Sequence, residues 1–351
     1  MAHPIYVPLL KARRGELSAL AEVNSIGRNS ITPLVDVGPW AATEDSLAFS
    51  TFANQLVESL ETGWSESGPV WLDTSLIGDR TDAHVDRHRT IMQAAAGSGL
   101  RLVPVVRPDL AELGRVEAIG FDNGICVRLR PADFAGDAGE AAARVAEAAG
   151  VPCGRTDVII DLGAVDERAD ETAFFAARQM LLALARPAEL RSVILAASSF
   201  PVDLSAIRGR GETHLRRGEW ALWKRVRDAV PFAVSFGDYG ISHPAFSAPV
   251  RRGPPPSVRY TTGETYFLVK RRPATEEGEE PWRDLARYLV TRAEYQRYGP
   301  DFSWGDGEIM RYAKKEERSP GGTGWGGGMQ WRKIGTSHHL AVVVQDLRTL
   351  G

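Results

Sequence analysis

A set of charged residues recurs at the C-terminal ends of apolar runs. Lys11 closes "YVPLLK", Asp36 lies in "ITPLVDV", Asp73 follows "VWL", Arg107 follows "VPVV", Asp161 ends "DVII" and Asp238 follows "SFG". Arg128 and Arg130 alternate in "ICVRLR", so a strand there points both to one side and Val127 and Leu129 to the other. Arginine forks match carboxylate and phosphate oxygens. Aspartates suit a hard cation such as magnesium, which takes oxygen ligands. Together they suit a phosphate-bearing ligand, such as a nucleotide or the end of a nucleic acid. The matching chemistry is phosphoryl transfer or phosphodiester hydrolysis. Asp36, Asp73, Asp161 and Asp238 would position metal or water, and Arg107, Arg128 and Arg130 would stabilise developing negative charge. The alternative is a set of internal ion pairs without chemistry, with the four aspartates partnering the arginines. Unpaired, the aspartates would repel, and one would rise in pKa and serve as an acid or base. Their spacing does not say which.

Further candidates lie outside these runs. Lys11 and Glu16 frame the first strand-to-helix turn, as a salt bridge, a helix cap, or a lysine on an anion oriented by the glutamate. His84 and His88 in "HVDRH" are spaced i,i+4, but the pattern is not HExxH, and an exposed polar face is expected. "DFSWGDGEIM" holds Trp304 and Asp306, and a tryptophan there would cover a base or sugar or seal a small core. Trp331 follows a glycine-rich loop over 320–328, which either cradles an anion through backbone N–H groups or only permits a mobile loop. His338 and His339 are adjacent, and in a strand they point to opposite sides.

Apolar runs over 5–13, 31–37, 69–75, 100–108, 124–130, 156–163, 192–198 and 231–238 read as eight strands, mostly separated by helical patterns. Among those patterns, Asp109 to Ala118 reads as a short helix and Asp170 as the cap of the next. This predicts an α/β fold, a TIM-like (β/α)8 barrel, whose chemistry sits at the C-terminal strand ends. No GxGxxG or GxxxxGK[ST] follows a strand, which argues against an ordinary dinucleotide or P-loop site. The barrel is expected over 1–245. A C-terminal mixed α/β appendage over 246–351 packs on it or completes it. In that appendage "VRYTTGETYFLVKRR" reads as a hairpin, "TEEGEE" as a solvated mobile segment, Pro281 to about Tyr295 as a helix, and "HLAVVVQDL" as a last strand.

The 351 residues, with 42 basic and 45 acidic side chains and a formal charge of -3, give no bulk signal for nucleic-acid binding. Two cysteines make no disulfide framework. No apolar run approaches the length of a membrane span, and no leader precedes the first strand, so a cytoplasmic protein is expected.

"YVPLLKARRGELSAL" followed by "ITPLVDV", and later "SFGDYG", "DFSWGDGEIM" and "QWRKIGTSHHLAVVV", resemble the phage-type Beta protein family across nearly the whole chain. The resemblance directs attention to Lys11, Glu16, Asp36, Asp73, Arg107, Asp161, Asp238, Trp304, Asp306, Trp331 and His338. It implies no cofactor or reaction, and it makes a role in phage–host conflict or antiviral defence an expectation. Two further readings stay open: a non-enzymatic protein that meets a protein partner, and a phage structural component.

Overall fold

The structure is a computed structural model that describes residues 6–39, 46–77, 82–108, 122–134, 140–168, 171–205, 207, 211–246, 255–271, 280–315 and 324–350. The expected short helix after Arg107, the cap at Asp170 and most of "TEEGEE" lie outside them.

Eight parallel strands close a barrel: β1 (Tyr6–Lys11), β2 (Leu34–Asp36), β3 (Pro69–Asp73), β4 (Arg101–Val106), β5 (Ile125–Leu129), β6 (Thr156–Ala164), β7 (Ser192–Ser198) and, after β8, β9 (Ser235–Asp238), which pairs with both β7 and β1. The chain is therefore a (β/α)8 barrel. Along each strand, alternate residues enter different cores. Val7, Leu9, Leu34, Trp71, Val103, Val105, Cys126, Ile159, Ile194, Ala196 and Tyr239 fill the interior. Their neighbours, among them Tyr6, Leu10, Val35, Leu72, Val127, Ile160 and Phe236, pack outward under the helices.

"SFGDYG" shows how strictly this parity operates. A Cβ on Gly237 would lie 3.0 Å from the Ala196 side chain and 3.2 Å from the Val7 carbonyl, so a side chain at that inward position would have to push its neighbours aside. Asp238 then faces out and Tyr239 in. Gly240 ends the strand at φ 58, in the left-handed region.

The second layer departs from the expected division at residue 245. Strand β8 (Glu212–Arg216) lies between β7 and the helix Gly218–Arg227, yet it joins no barrel strand. It pairs with β11 (Thr265–Lys270), which pairs with β10 (Ser257–Thr261) in a three-stranded antiparallel sheet. The hairpin expected around Gly263 is present. Helix Pro281–Val290 carries its proline in the first turn as expected, but a second short helix, Ala293–Gln296, follows a break.

The expected last strand is instead part of a 23-residue helix, Gly328–Leu350. Its valine run suggested β structure, but Val342, Val343 and Val344 are all buried, between the barrel and the small sheet's core. An apolar run enclosed on several sides has no period that separates strand from helix. No described helix is long and apolar enough to cross a membrane.

Candidate functional site at the barrel mouth

The inward parity that fills the barrel with apolar side chains continues at its C-terminal end with Lys11, Asp36, Asp73, Arg107, Arg128 and Asp161. Arg128 is the hub, with no exposed surface. Its Nε donates to Asp161 Oδ2 at 3.0 Å, its Nη1 to Asp73 Oδ2 at 2.5 Å and to Asp36 Oδ2 at 3.3 Å, and its Nη2 to the Tyr239 hydroxyl at 2.6 Å. Tyr239 in turn donates to Asp161 at 2.8 Å. The sequence reading missed Tyr239, although the parity applied to Arg128 and Arg130 would have selected it over Asp238.

The three carboxylates are not equivalent. Asp73 also accepts from the Ser75 amide at 2.8 Å, and Asp161 from the Gly163 amide at 2.9 Å. Burial alone would raise both, but Arg128 outweighs it, helped by Arg107 at Asp73 and by Tyr239 and Arg130 at Asp161, and both are held below the usual carboxylate range. Asp36 has only the long Arg128 contact, and its buried Oδ1 has no hydrogen-bond partner among the described residues. Burial pushes its carboxyl up to about 6, Arg128 pulls against this, and the Asp73 charge adds to it. The sequence reading expected a raised carboxylate only if the aspartates lacked arginine partners; Asp36 is raised although Arg128 contacts it, because burial is the largest influence.

This raised value has a measurable consequence. A folded-state value above the unfolded one means that the native state binds more protons between about pH 4 and 6. The corresponding stability is complete below the unfolded value and is lost as pH rises through about 6. Asp36→Asn, which mimics the protonated acid, is expected to gain on the wild type by about 1.4 kcal/mol between pH 5 and pH 8 in urea unfolding. A constant difference across that interval would remove the assignment.

Arg107 is the other incomplete partner. Its side chain is buried and, among the described residues, its nearest carboxylate contact is 3.7 Å, from Nη2 to Asp73 Oδ2. Neither its Nε nor its Nη2 has a hydrogen-bond partner among the described residues. Arg130 is more open, with 40% of its side chain exposed and Nε 3.5 Å from Asp161. Lys11 donates to the carbonyls of His243 at 2.8 Å and Ala245 at 2.5 Å, and burial lowers its ammonium to about 8. Glu16 instead ties the end of β1 to the last barrel loop: it accepts from the Lys11 backbone amide at 2.8 Å and from Ser242 Oγ at 3.0 Å.

The remaining candidates do not join this mouth. Asp238 lies on the outer wall, where its oxygens accept from Tyr6 at 2.6 Å and face His339 Nε2 at 2.9 Å. Asp306 and His338 pair at 2.8 Å inside the second layer, away from the barrel interior. Trp331 belongs to the same inner core, stacked on Trp282, and its indole donates to the Trp325 carbonyl at 3.0 Å. The described part of the glycine-rich segment thus helps to seal a core. Trp304 is half-buried under the Lys333 ammonium, 4.1 Å from its ring. It lines a separate cleft of about 500 Å³ between the segment around Ile26 and the C-terminal helix.

His88 is also corrected. It is buried, not on an exposed face, with Nδ1 3.0 Å from Thr74 Oγ1. Among the described residues, no group of three or more His, Cys, Asp or Glu side chains is placed to hold a metal ion.

Fold and mouth together define a (β/α)8 barrel protein with a charged interior end. The chain belongs to the Beta protein family, whose sequence model matches residues 6–345. No curated protein matches it. One similar solved structure is the D-psicose 3-epimerase of Clostridium cellulolyticum H10 with D-tagatose, 12% identical over 68% of this chain and 84% of that one, with a TM-score of 0.24. That degree of likeness carries no functional argument.

Proposed function

We propose that the barrel mouth binds a small phosphate-bearing molecule and that Asp36 exchanges a proton there. The observation that carries this reading is Arg107. A buried guanidinium whose Nε and Nη2 have no hydrogen-bond partner among the described residues, with Asp73 no closer than 3.7 Å, is costly unless something else completes it. Charge balance supports an anion. Asp36, Asp73 and Asp161 are matched by Arg107, Arg128 and Arg130, so protonating Asp36 leaves the group one unit positive. Bound phosphate would favour that state. Asp36 could then return the proton to a leaving oxygen, the role of a general acid.

Metal-assisted phosphodiester chemistry finds less support than the spacing suggested. The oxygens expected to hold magnesium are largely engaged by Arg128, and Asp238 faces elsewhere. A phage or phage-defence setting rests on the family resemblance alone.

The test is titration of the full chain with adenosine 5′-monophosphate, with and without magnesium. Arg107→Gln is expected to weaken binding about tenfold or more, the loss typical of a charge-assisted hydrogen bond. Unchanged affinity in a folded Arg107→Gln protein would overturn the reading. A second reading is favoured by the saturation of Arg128: the network is a structural plug, and the protein works by meeting a partner. It predicts no nucleotide binding in the wild type.

A further inference from the structure

Two arginines that the sequence reading passed over meet on the rim of the same barrel end. Arg259, on β10, and Arg332, on the C-terminal helix, both donate through Nη1 to the Ile241 carbonyl, at 2.7 and 3.1 Å. Arg332 also donates to Ser242 Oγ at 3.0 Å. Their shared acceptor keeps the two Nη1 atoms within about 6 Å of each other, where like charges repel appreciably. Neither makes an ion pair with a carboxylate among the described residues.

The local charge is unbalanced. The nearby acid is Glu16, whose oxygens are already taken by the Lys11 amide and Ser242 Oγ. Burial lowers the Arg259 guanidinium to about 9, with Arg332 adding to the shift and Glu16 opposing it. Burial lowers Arg332 as well. Both residues keep part of their surface exposed, and their remaining guanidinium nitrogens have no hydrogen-bond partner among the described residues. Arg259 is held in place over the Phe200 ring, 4.8 Å from its centroid.

The location adds a second argument. Ile241 and Ser242 follow β9, the eighth barrel strand, and Phe200 follows β7, the seventh. Loops after the seventh and eighth strands are where this architecture commonly seats a phosphate. Here the barrel loops supply backbone, and the second layer supplies the charge.

We propose that Arg259 and Arg332 form a phosphoryl subsite on the barrel rim, so that the C-terminal layer is a working part of the ligand site. The subsite rests on the ligand reading of this barrel end, but it stands or falls on its own residues. Two guanidinium forks brought together on one carbonyl suit a tetrahedral dianion better than a planar carboxylate, because each can take a separate edge of oxygens.

The experiment is thermal unfolding of the full chain in inorganic phosphate against chloride at equal ionic strength, with Arg259→Gln, Arg332→Gln and Arg107→Gln beside the wild type. Phosphate is expected to raise the wild-type midpoint in a concentration-dependent way. Both rim variants should lose that increment, while Arg107→Gln keeps at least part of it. A purely structural role would lower the midpoint equally in both salts and leave the increment intact, which would overturn the proposal. So would an increment lost only in Arg107→Gln, although the mouth reading would then survive. If a rim variant fails to fold, a crystal structure of the wild type in phosphate decides: density within hydrogen-bond distance of both guanidinium groups supports the subsite, and density bound elsewhere removes it.

Discussion

Arg128→Met is expected to destabilise the protein by about 5 kcal/mol, enough to unfold much of it at room temperature. The substitution roughly conserves volume and removes the one cation that Asp36, Asp73 and Asp161 share. Breaking a single buried pair commonly costs about 3–5 kcal/mol, because the remaining charge stays desolvated. Here the loss spans three carboxylates and the Tyr239 hydroxyl. Lysine at this position should recover only part of the loss, since a point charge cannot reproduce contacts made through Nε, Nη1 and Nη2 at once.

The pH dependence provides an internal check. In the wild type, Asp73 and Asp161 are held low, so their contribution is present above the ordinary carboxylate value and is lost as pH falls through the depressed one. Without Arg128, burial is opposed only by the weaker pulls of Arg107 and the Ser75 amide on Asp73 and of Tyr239, Arg130 and the Gly163 amide on Asp161, so both carboxyls rise and the variant gains stability as pH falls. The gap between the proteins should therefore narrow from pH 8 to pH 5, and Asp73→Asn in the same chain should restore part of the loss. A deficit below about 1 kcal/mol would show that water or rearrangement reaches this network.

Much of this arrangement was legible because a parallel barrel has a simple code. Apolar runs separated by helical patterns marked the strands, and strand parity placed Arg128 among carboxylates. The alternative of internal ion pairs offered Asp36, Asp73, Asp161 and Asp238 as partners of the arginines, and the first three meet Arg128. Asp238 was misplaced because its acid type was weighed above its parity, although Gly237 and Tyr239 on either side mark the inward face. Strand β8 escaped notice because its polar, exposed residues alternate with only Thr213 and Leu215. It is held by pairing to a strand some fifty residues away, which no local pattern announces. Arg259 and Arg332 stayed hidden for a related reason. They come from a strand and a helix far apart in the chain, and only a shared carbonyl from a third segment brings them together.

The adjacent histidines show how a wrong element changes the meaning of correct residues. In a strand they would diverge, one to each face. On the C-terminal helix both are fully buried and clamp the layers together. His339 reaches Asp238 on β9 and Thr261 Oγ1 at 2.8 Å on β10. His338 Nε2 donates to the Thr261 carbonyl at 2.7 Å, and its Nδ1 meets Asp306 at 2.8 Å. Asp306 also accepts from Tyr260 at 2.7 Å and Ser303 at 2.6 Å. Burial would raise its carboxyl, but His338, Ser303 and Tyr260 together hold it below the ordinary value. The Asp306 carboxylate and the Thr261 carbonyl face the two His338 ring nitrogens, so the imidazole is held between them in a fully buried site.

His338→Leu is expected to cost about 3 kcal/mol by leaving the buried Asp306 carboxylate without its imidazole partner. The sign with pH follows from the depressed value: the stability that Asp306 contributes is present above the usual carboxylate range and disappears as pH falls through the lower value. In the leucine variant burial prevails, and protonation of Asp306 relieves the fold as the solution becomes acidic. The difference in urea midpoint between the two proteins should shrink from pH 8 towards pH 4. Adding Asp306→Asn to His338→Leu should cost less than the two changes summed, because the second removes the charge that the first strands. Strict additivity would mean that the pair is held by its surroundings rather than by its mutual charge, and the layers would owe their union to the apolar packing around Tyr260 and Ile334 instead.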